Sequence, residues 1–205
     1  MIHEIDTPQG LARAHVTEGG VRGTLVLGHG AGGGIESADL VEVTTEAVSA
    51  GWRVVRIEQP WRVAGKRIAV APPKLDEAWT AVLGRLRADG VLAGALVLGG
   101  RSAGARVACR TAAAQHADGV LALAFPLHPP GRPEKSRAAE LTDVTVPICV
   151  VQGDTDAMGR PEALAAVLSG RSNASVYAVG GDHALKKDVH VVAAAALSWL
   201  TEVIA

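Results

Sequence analysis

A serine alcohol attacks a carbonyl only when a base takes its proton and an acid holds that base in the right tautomer. Three stretches of the 205-residue chain offer these groups in a usable order. Gly100-Arg101-Ser102-Ala103-Gly104 sets a serine between two glycines, Gly153-Asp154-Thr155-Asp156 carries two carboxylates, and Gly180-Gly181-Asp182-His183 ends on an imidazole. Serine, then acid, then histidine is the chain order expected when the serine sits on a strand-to-helix turn.

The context of each group narrows the choice. Ser102 follows the apolar run Ala95 to Gly99 and precedes a helical pattern from Ala103, the strand–turn–helix setting that a G-x-S-x-G motif requires. The flanking glycines suit a tight, strained turn on which a side chain would collide with neighbouring backbone. Of the two carboxylates Asp156 is favoured, because the last position of a G-x-x-D loop reaches the histidine while the Asp154 position serves the turn. His183 follows the last strand candidate. His190 falls in the start of the terminal helix and reads as solvated or capping, and His3, His15, His29 and His116 precede the acid.

Developing negative charge on the attacked oxygen calls for two amide donors. Ala103, at a helix start just after the serine, supplies the first. The second belongs to the loop Gly28-His29-Gly30-Ala31-Gly32-Gly33-Gly34, with Ala31 first and Gly32 next. A phosphate-binding reading of that loop is weakened because no GK[ST] follows and the spacing is not G-x-G-x-x-G.

These groups need a scaffold that brings distant loops to one edge. Apolar runs at Ile2 to Ile5, Leu11 to Val16, Thr24 to Gly28, Arg53 to Glu58, Ala95 to Gly99, Val120 to Phe125, Ile148 to Gly153 and Ser175 to Val179 read as strands. Helical patterns alternate with them at Ser37 to Ala50, Lys74 to Ala88, Ala103 to His116, Pro161 to Leu168 and Val189 to Ile204. The alternation predicts an α/β fold: a mostly parallel central sheet with helices on both faces. Pro126 to Pro147, with five prolines, is the one irregular excursion, and it leaves room for a small flap at most.

Composition fits one domain over residues 1–205: 48% of residues are apolar, while aromatics make up only 3%. The formal charge of −1 and the lack of a long run of one sign argue against nucleic acid as a partner. No run is apolar and long enough for a membrane span, and the start MIHEIDTPQG lacks the basic and apolar regions of a signal peptide, so a cytoplasmic location is expected. Cys109 and Cys149 stand apart from any Cys/His cluster, which predicts two buried thiols and no metal site.

With HGAGGG, GRSAG, GDTD and GGDH in this order, the chain resembles the α/β-hydrolase superfamily over nearly its whole length. Arg101 inside the elbow, Arg106 after it, the stretch Glu58-Gln59-Pro60-Trp61-Arg62-Val63-Ala64-Gly65 and GGDHALKK look most like the branch that includes testis-expressed protein 30 and the hydrolase-like domain of a chromatin-complex subunit. The resemblance implies an α/β-hydrolase fold with minimal or no cap, a triad of Ser102, Asp156 and His183, and no cofactor. Some members of that branch act as interaction modules.

The expected function is therefore hydrolysis of a carboxylester or thioester bond in a small substrate through an acyl-enzyme. The alternative is a non-catalytic binding or scaffolding module on the same fold. Dienelactone-type hydrolysis is less favoured, because that group commonly uses a cysteine where this chain has Ser102. Candidate substrate-binding residues are His29, Gly30, Trp61, Arg62, Arg101 and His128. Arg101 either braces an acid such as Glu58 or joins Arg62, Lys66 or Arg67 in attracting a carboxylate or phosphate. Trp61 offers an apolar wall or packs inward, and His128 lines the site or rests in its loop.

Overall fold

Successive side chains of a strand point to opposite faces of its sheet, so a strand that is apolar on both faces needs cover on both sides. In the computed structural model, which describes residues 1–20 and 22–203, that requirement shapes the whole molecule. Eight strands form one sheet in the order β1-β2-β4-β3-β5-β6-β7-β8. They are β1 (Ile2–Thr7), β2 (Gly10–Thr17), β3 (Gly23–Gly28), β4 (Trp52–Glu58), β5 (Ala95–Arg101), β6 (Gly119–Leu123), β7 (Ile148–Gly153) and β8 (Ala174–Val179). From β4 to β8 all neighbours run parallel, and β2 pairs antiparallel with both β1 and β4.

Alternation sorts the core into two layers. Leu98, Ala122 and Val150 face one layer with α3 (Pro72–Ala88), α4 (Ala103–Thr111), α5 (Ala138–Thr142) and α6 (Pro161–Val167). Val97, Leu121 and Cys149 face the other, covered by α1 (Ala38–Ser49) and α7 (Val189–Val203). Trp79 fills the first layer and Trp52 and Trp199 the second, so three tryptophans compensate for the scarcity of other aromatics. Both cysteines are free and buried, and burial pushes the Cys109 thiol up to about 12 and the Cys149 thiol up as well, which leaves neither reactive.

The elements lie where the hydrophobic pattern put them, with instructive differences at their ends. Ala103 to His116 does not stay helical throughout. Helix α4 ends at Thr111, and the chain leaves through turns closed by His116 in a left-handed conformation (φ 52°). β6 stops at Leu123 rather than Phe125 because Ala124 also has a positive φ, 46°. Two short helices, α5 and α2 (Pro60–Val63), fall in stretches without a long enough period to detect. The expected end of the last helix at Ile204 lies outside the described residues. The excursion from Pro126 to Pro147 packs down instead of arching over: Leu141 and Val144 are buried, and Glu140 engages both Arg106 and Arg110 of α4.

One contact sets the geometry at the C-terminal edge of the sheet. Gly28 of β3 lies opposite Gly100 of β5, and a Cβ on Gly100 would sit 2.3 Å from the Gly28 carbonyl oxygen. A Cβ on Gly104, in the first turn of α4, would sit 2.2 Å from the same oxygen. Replacing glycine by alanine inside a helix normally stabilises by roughly 0.5–1 kcal/mol. Gly84, within α3 and facing open space, should follow that rule, whereas Gly104→Ala should destabilise by about 1–3 kcal/mol through overpacking. Paired urea melts check this. A stabilised Gly104→Ala variant would show that the β3–α4 contact is looser than described.

Candidate active site

The strand-to-helix turn after β5 holds Ser102 at φ 53° and ψ −108°. A non-glycine residue in such a conformation stores about 1–3 kcal/mol of strain. The Ser102 N–H donates to the Leu123 carbonyl at 2.9 Å, which ties the strained residue to the end of β6. With Gly100 extending β5 and Gly104 pressed on Gly28, the hydroxyl projects from the sheet edge into an open cavity of about 820 Å³.

The loop after β8 delivers the imidazole. His183 Nε2 lies 2.9 Å from Ser102 Oγ, and His183 Nδ1 lies 2.7 Å from Asp156 Oδ2. Asp156, in the loop after β7, is 2% exposed; its Oδ1 accepts the Met158 N–H at 2.8 Å and its Oδ2 also accepts from Gln152 Nε2 at 2.7 Å. A proton on Nδ1 toward the carboxylate leaves Nε2 free to accept the Ser102 hydroxyl proton. Asp154 does something else: its Oδ1 accepts the Gly181 N–H at 2.9 Å and closes the histidine loop against the acid loop.

Arg101 has a different partner from the one the sequence suggested. Its guanidinium turns toward the start of α1, where Nε lies 2.9 Å from Asp39 Oδ2, and not toward Glu58. Nη2 donates to the His183 carbonyl at 2.9 Å, so one side chain links the elbow, the histidine loop and the start of α1. A Cβ on Gly30 would meet Arg101 Nη1 at 2.9 Å and Ser102 Cβ at 3.5 Å, so a side chain there would press on the Arg101 guanidinium. Asp39 is 1% exposed, and burial pushes its carboxyl above the ordinary range while Arg101 opposes that shift.

His29 and Trp61 stand behind the site rather than on its wall. His29 is 3% exposed, its Nδ1 donates to the Gly30 carbonyl at 2.9 Å, and its Nε2 accepts the Gln59 N–H at 3.1 Å. Both nitrogens are thus taken, and burial lowers its pKa, so the neutral ring serves to pin the glycine-rich loop to the end of β4. Trp61, 4% exposed, packs on His29 with ring centroids 5.4 Å apart. His128 bonds the neighbouring Pro129 carbonyl and is absent from the cavity wall, as are Lys66 and Arg67.

Ala31, Arg62 and Arg101 do line the cavity, with Glu58, Lys186, Ile35 and Met158. Ala103 opens α4 beside Ser102, and neither its amide nor that of Ala31 has an acceptor among the described residues. Asp39, Gln152 and Lys186 escaped the sequence reading. Gln152 left a trace, as a polar residue near the end of an otherwise apolar strand, and Lys186 lay within the GGDHALKK match without a role; Asp39 left none, since a surface-like charge in a helix start is commonplace. No group of three or more His, Cys, Asp or Glu that could hold a metal occurs among the described residues.

A family model described as alpha/beta hydrolase domain matches residues 21–199. The chain belongs to that family. Solved structures agree on the fold. An alpha-beta serine hydrolase homologue from Coxiella burnetii superposes with a TM-score of 0.79 at 19% identity, covering 95% of this chain and 94% of the other. A Xanthomonas campestris member of the a/b serine hydrolases without lid gives 0.77 at 20%, covering 98% and 93%. Est1E from Butyrivibrio proteoclasticus, solved with ferulic acid bound, gives 0.83 at 17%, covering 98% and 99%. This α/β-hydrolase likewise has no clear cap domain among its described residues.

Two expectations follow for this α/β-hydrolase. Removing Asp39 alone strands a buried guanidinium, a loss of about 3–5 kcal/mol, whereas replacing a buried pair by apolar side chains is often neutral. Asp39→Ala should therefore melt far below the parent, and Asp39→Leu with Arg101→Met should regain most of the stability. The second concerns pH. The pKa values of His29 and His15 are both lowered by burial below the ordinary 6.5. Between the folded values and 6.5 the unfolded chain binds more protons at these two positions, so their contribution to stability is fully present above 6.5 and is lost as pH falls below it. A melting temperature that climbs between about pH 7 and 5.5 would contradict this.

Proposed function

We propose that the chain is a serine hydrolase that cleaves carboxylester or thioester bonds of a small substrate through an acyl-enzyme. One observation carries the proposal: the unbroken line from Ser102 Oγ through His183 to Asp156, at 2.9 and 2.7 Å, on a strained turn facing an open cavity. Its place nearest the branch of testis-expressed protein 30 rests on GRSAG, EQPWRVAG and GGDHALKK and belongs to the same proposal.

In this reading His183 Nε2 takes the Ser102 proton as Oγ bonds to the substrate carbonyl carbon. The carbonyl electron pair moves onto oxygen, where the Ala103 and Ala31 amides stabilise it. The pair returns, the bond to the alcohol or thiol breaks, and His183 gives that leaving group the proton. Water then repeats the cycle: its oxygen bonds to the acyl carbon as His183 takes its proton, the acyl–Oγ bond breaks as His183 returns that proton to Ser102 Oγ, and the acid departs. Asp156 keeps Nδ1 protonated toward itself and stabilises the charged ring throughout. Gln152, donating to the same Oδ2, holds the carboxylate plane in place. No step calls for a cofactor.

Mass spectrometry after treatment with a fluorophosphonate tests the reading. A single adduct on Ser102 is expected, absent in Ser102→Ala and in His183→Ala. Turnover of an activated ester should fall by about 10⁴-fold or more in either variant. A folded native protein that stays unlabelled would instead make this chain a binding module on a hydrolase scaffold.

A further inference from the structure

Resting on the hydrolase reading, we propose that the substrate carries a carboxylate, recognised by Arg62 and Lys186. Five charged side chains line the cavity among the described residues: Glu36, Glu58, Arg62, Arg101 and Lys186. Two of them are already matched. Arg101 faces Asp39 at 2.9 Å, and Glu36 faces Arg56 at 3.5 Å. Arg62 and Lys186 have no carboxylate within ion-pair distance among the described residues. Glu58 has only His15, at 3.8 Å, whose imidazole burial keeps toward the neutral form. The unmatched balance is two positive charges against one negative.

The two cations line the same cavity as the reacting serine. Arg62, from α2, reaches the glycine-rich loop, its Nε 3.5 Å from a Cβ placed on Gly34. Lys186 follows His183 by three residues, in the loop that delivers the imidazole. The rest of the wall is mainly glycine and alanine, with Ile35 and Met158 as its larger apolar side chains. Such a wall gives a long neutral chain little to bury against, while a guanidinium offers a carboxylate paired donors and an ammonium offers a point charge.

Matched esters test this on each arm of the substrate. On the acyl arm, 4-nitrophenyl hydrogen adipate is compared with 4-nitrophenyl hexanoate; on the alcohol arm, 4-acetoxybenzoate is compared with 4-acetoxybenzamide. The readout is the ratio of kcat/KM for the charged over the neutral member, corrected for spontaneous hydrolysis. At least one arm should give a ratio of about 10 or more, since two exposed ion pairs contribute up to roughly fivefold each. Raising NaCl from about 50 to 500 mM should lower that ratio. Arg62→Met with Lys186→Met should bring it to about 1, and Glu58→Gln should raise it.

Where turnover is slow, the labelling rates of Ser102 by a carboxylate-bearing and a neutral fluorophosphonate give the same ratio. Ratios near 1 on both arms, or ratios indifferent to all three substitutions, overturn the proposal while the hydrolase reading stands. A protein that neither turns over an ester nor labels at Ser102 removes the hydrolase reading and this proposal together.

Discussion

The Gly28 carbonyl occupies the space that a Cβ at either Gly100 or Gly104 would need. β3 and the first turn of α4 therefore meet backbone to backbone, and the rest of the site is placed from that meeting. It forces the chain to reverse between Gly100 and Gly104, which leaves Ser102 in a conformation that L-residues avoid. The same residue, Gly28, is where the glycine-rich loop leaves the sheet, so the loop begins beside the elbow with no intervening span to flex. Trp79 closes the space beneath, with Cζ3 at 3.2 Å from the position of a Cβ on Gly28. A parallel sheet provides many strand ends along one edge; this contact decides which end carries the exposed hydroxyl.

A tight elbow alone does not hold three loops in register, and here buried polar side chains do that. Arg101 connects the elbow to the His183 carbonyl and to Asp39, while His29 connects Gly30 to the Gln59 amide at the end of β4. Taking the Arg101–Asp39 pair out of water costs free energy that its attraction only roughly offsets. Its effect is therefore on placement more than on stability. A purely apolar contact between the same segments would tolerate sliding; a charge pair with a directed bond to a carbonyl does not.

Much of this was legible in the sequence because the signals were local. Short, continuous apolar runs bounded by glycine, proline or aspartate mark strands buried on both faces, and six of the eight strands form the parallel body they announce. GRSAG, GDTD and GGDH each announce a turn geometry within a few residues, and the structure brings Ser102, Asp156 and His183 together. The partners of long side chains were not legible. Arg101 selects Asp39, 62 positions earlier in the chain, over Glu58, because its direction depends on how β5 and α1 are packed, which no local pattern encodes. His29 looked like a wall residue for the same reason: its motif places it beside the nucleophile, and only the packing of Trp61 shows that the ring faces inward.

The two ends of the Ser102–His183–Asp156 line sit in opposite dielectric settings. Asp156 is buried and receives bonds from Met158, Gln152 and His183, so its charge acts at close range with little screening. Ser102 opens on a cavity that the excursion from Pro126 to Pro147 leaves uncovered, since none of that segment lines it. Water thus reaches the serine end freely, and the site lacks the enclosure that a cap would supply. Discrimination must then come from groups that act across water, and charge is the interaction with that range. If the chain is the hydrolase proposed above, an open mouth with a dry acid behind it leaves the unmatched cations on the wall as the groups able to select a substrate across water.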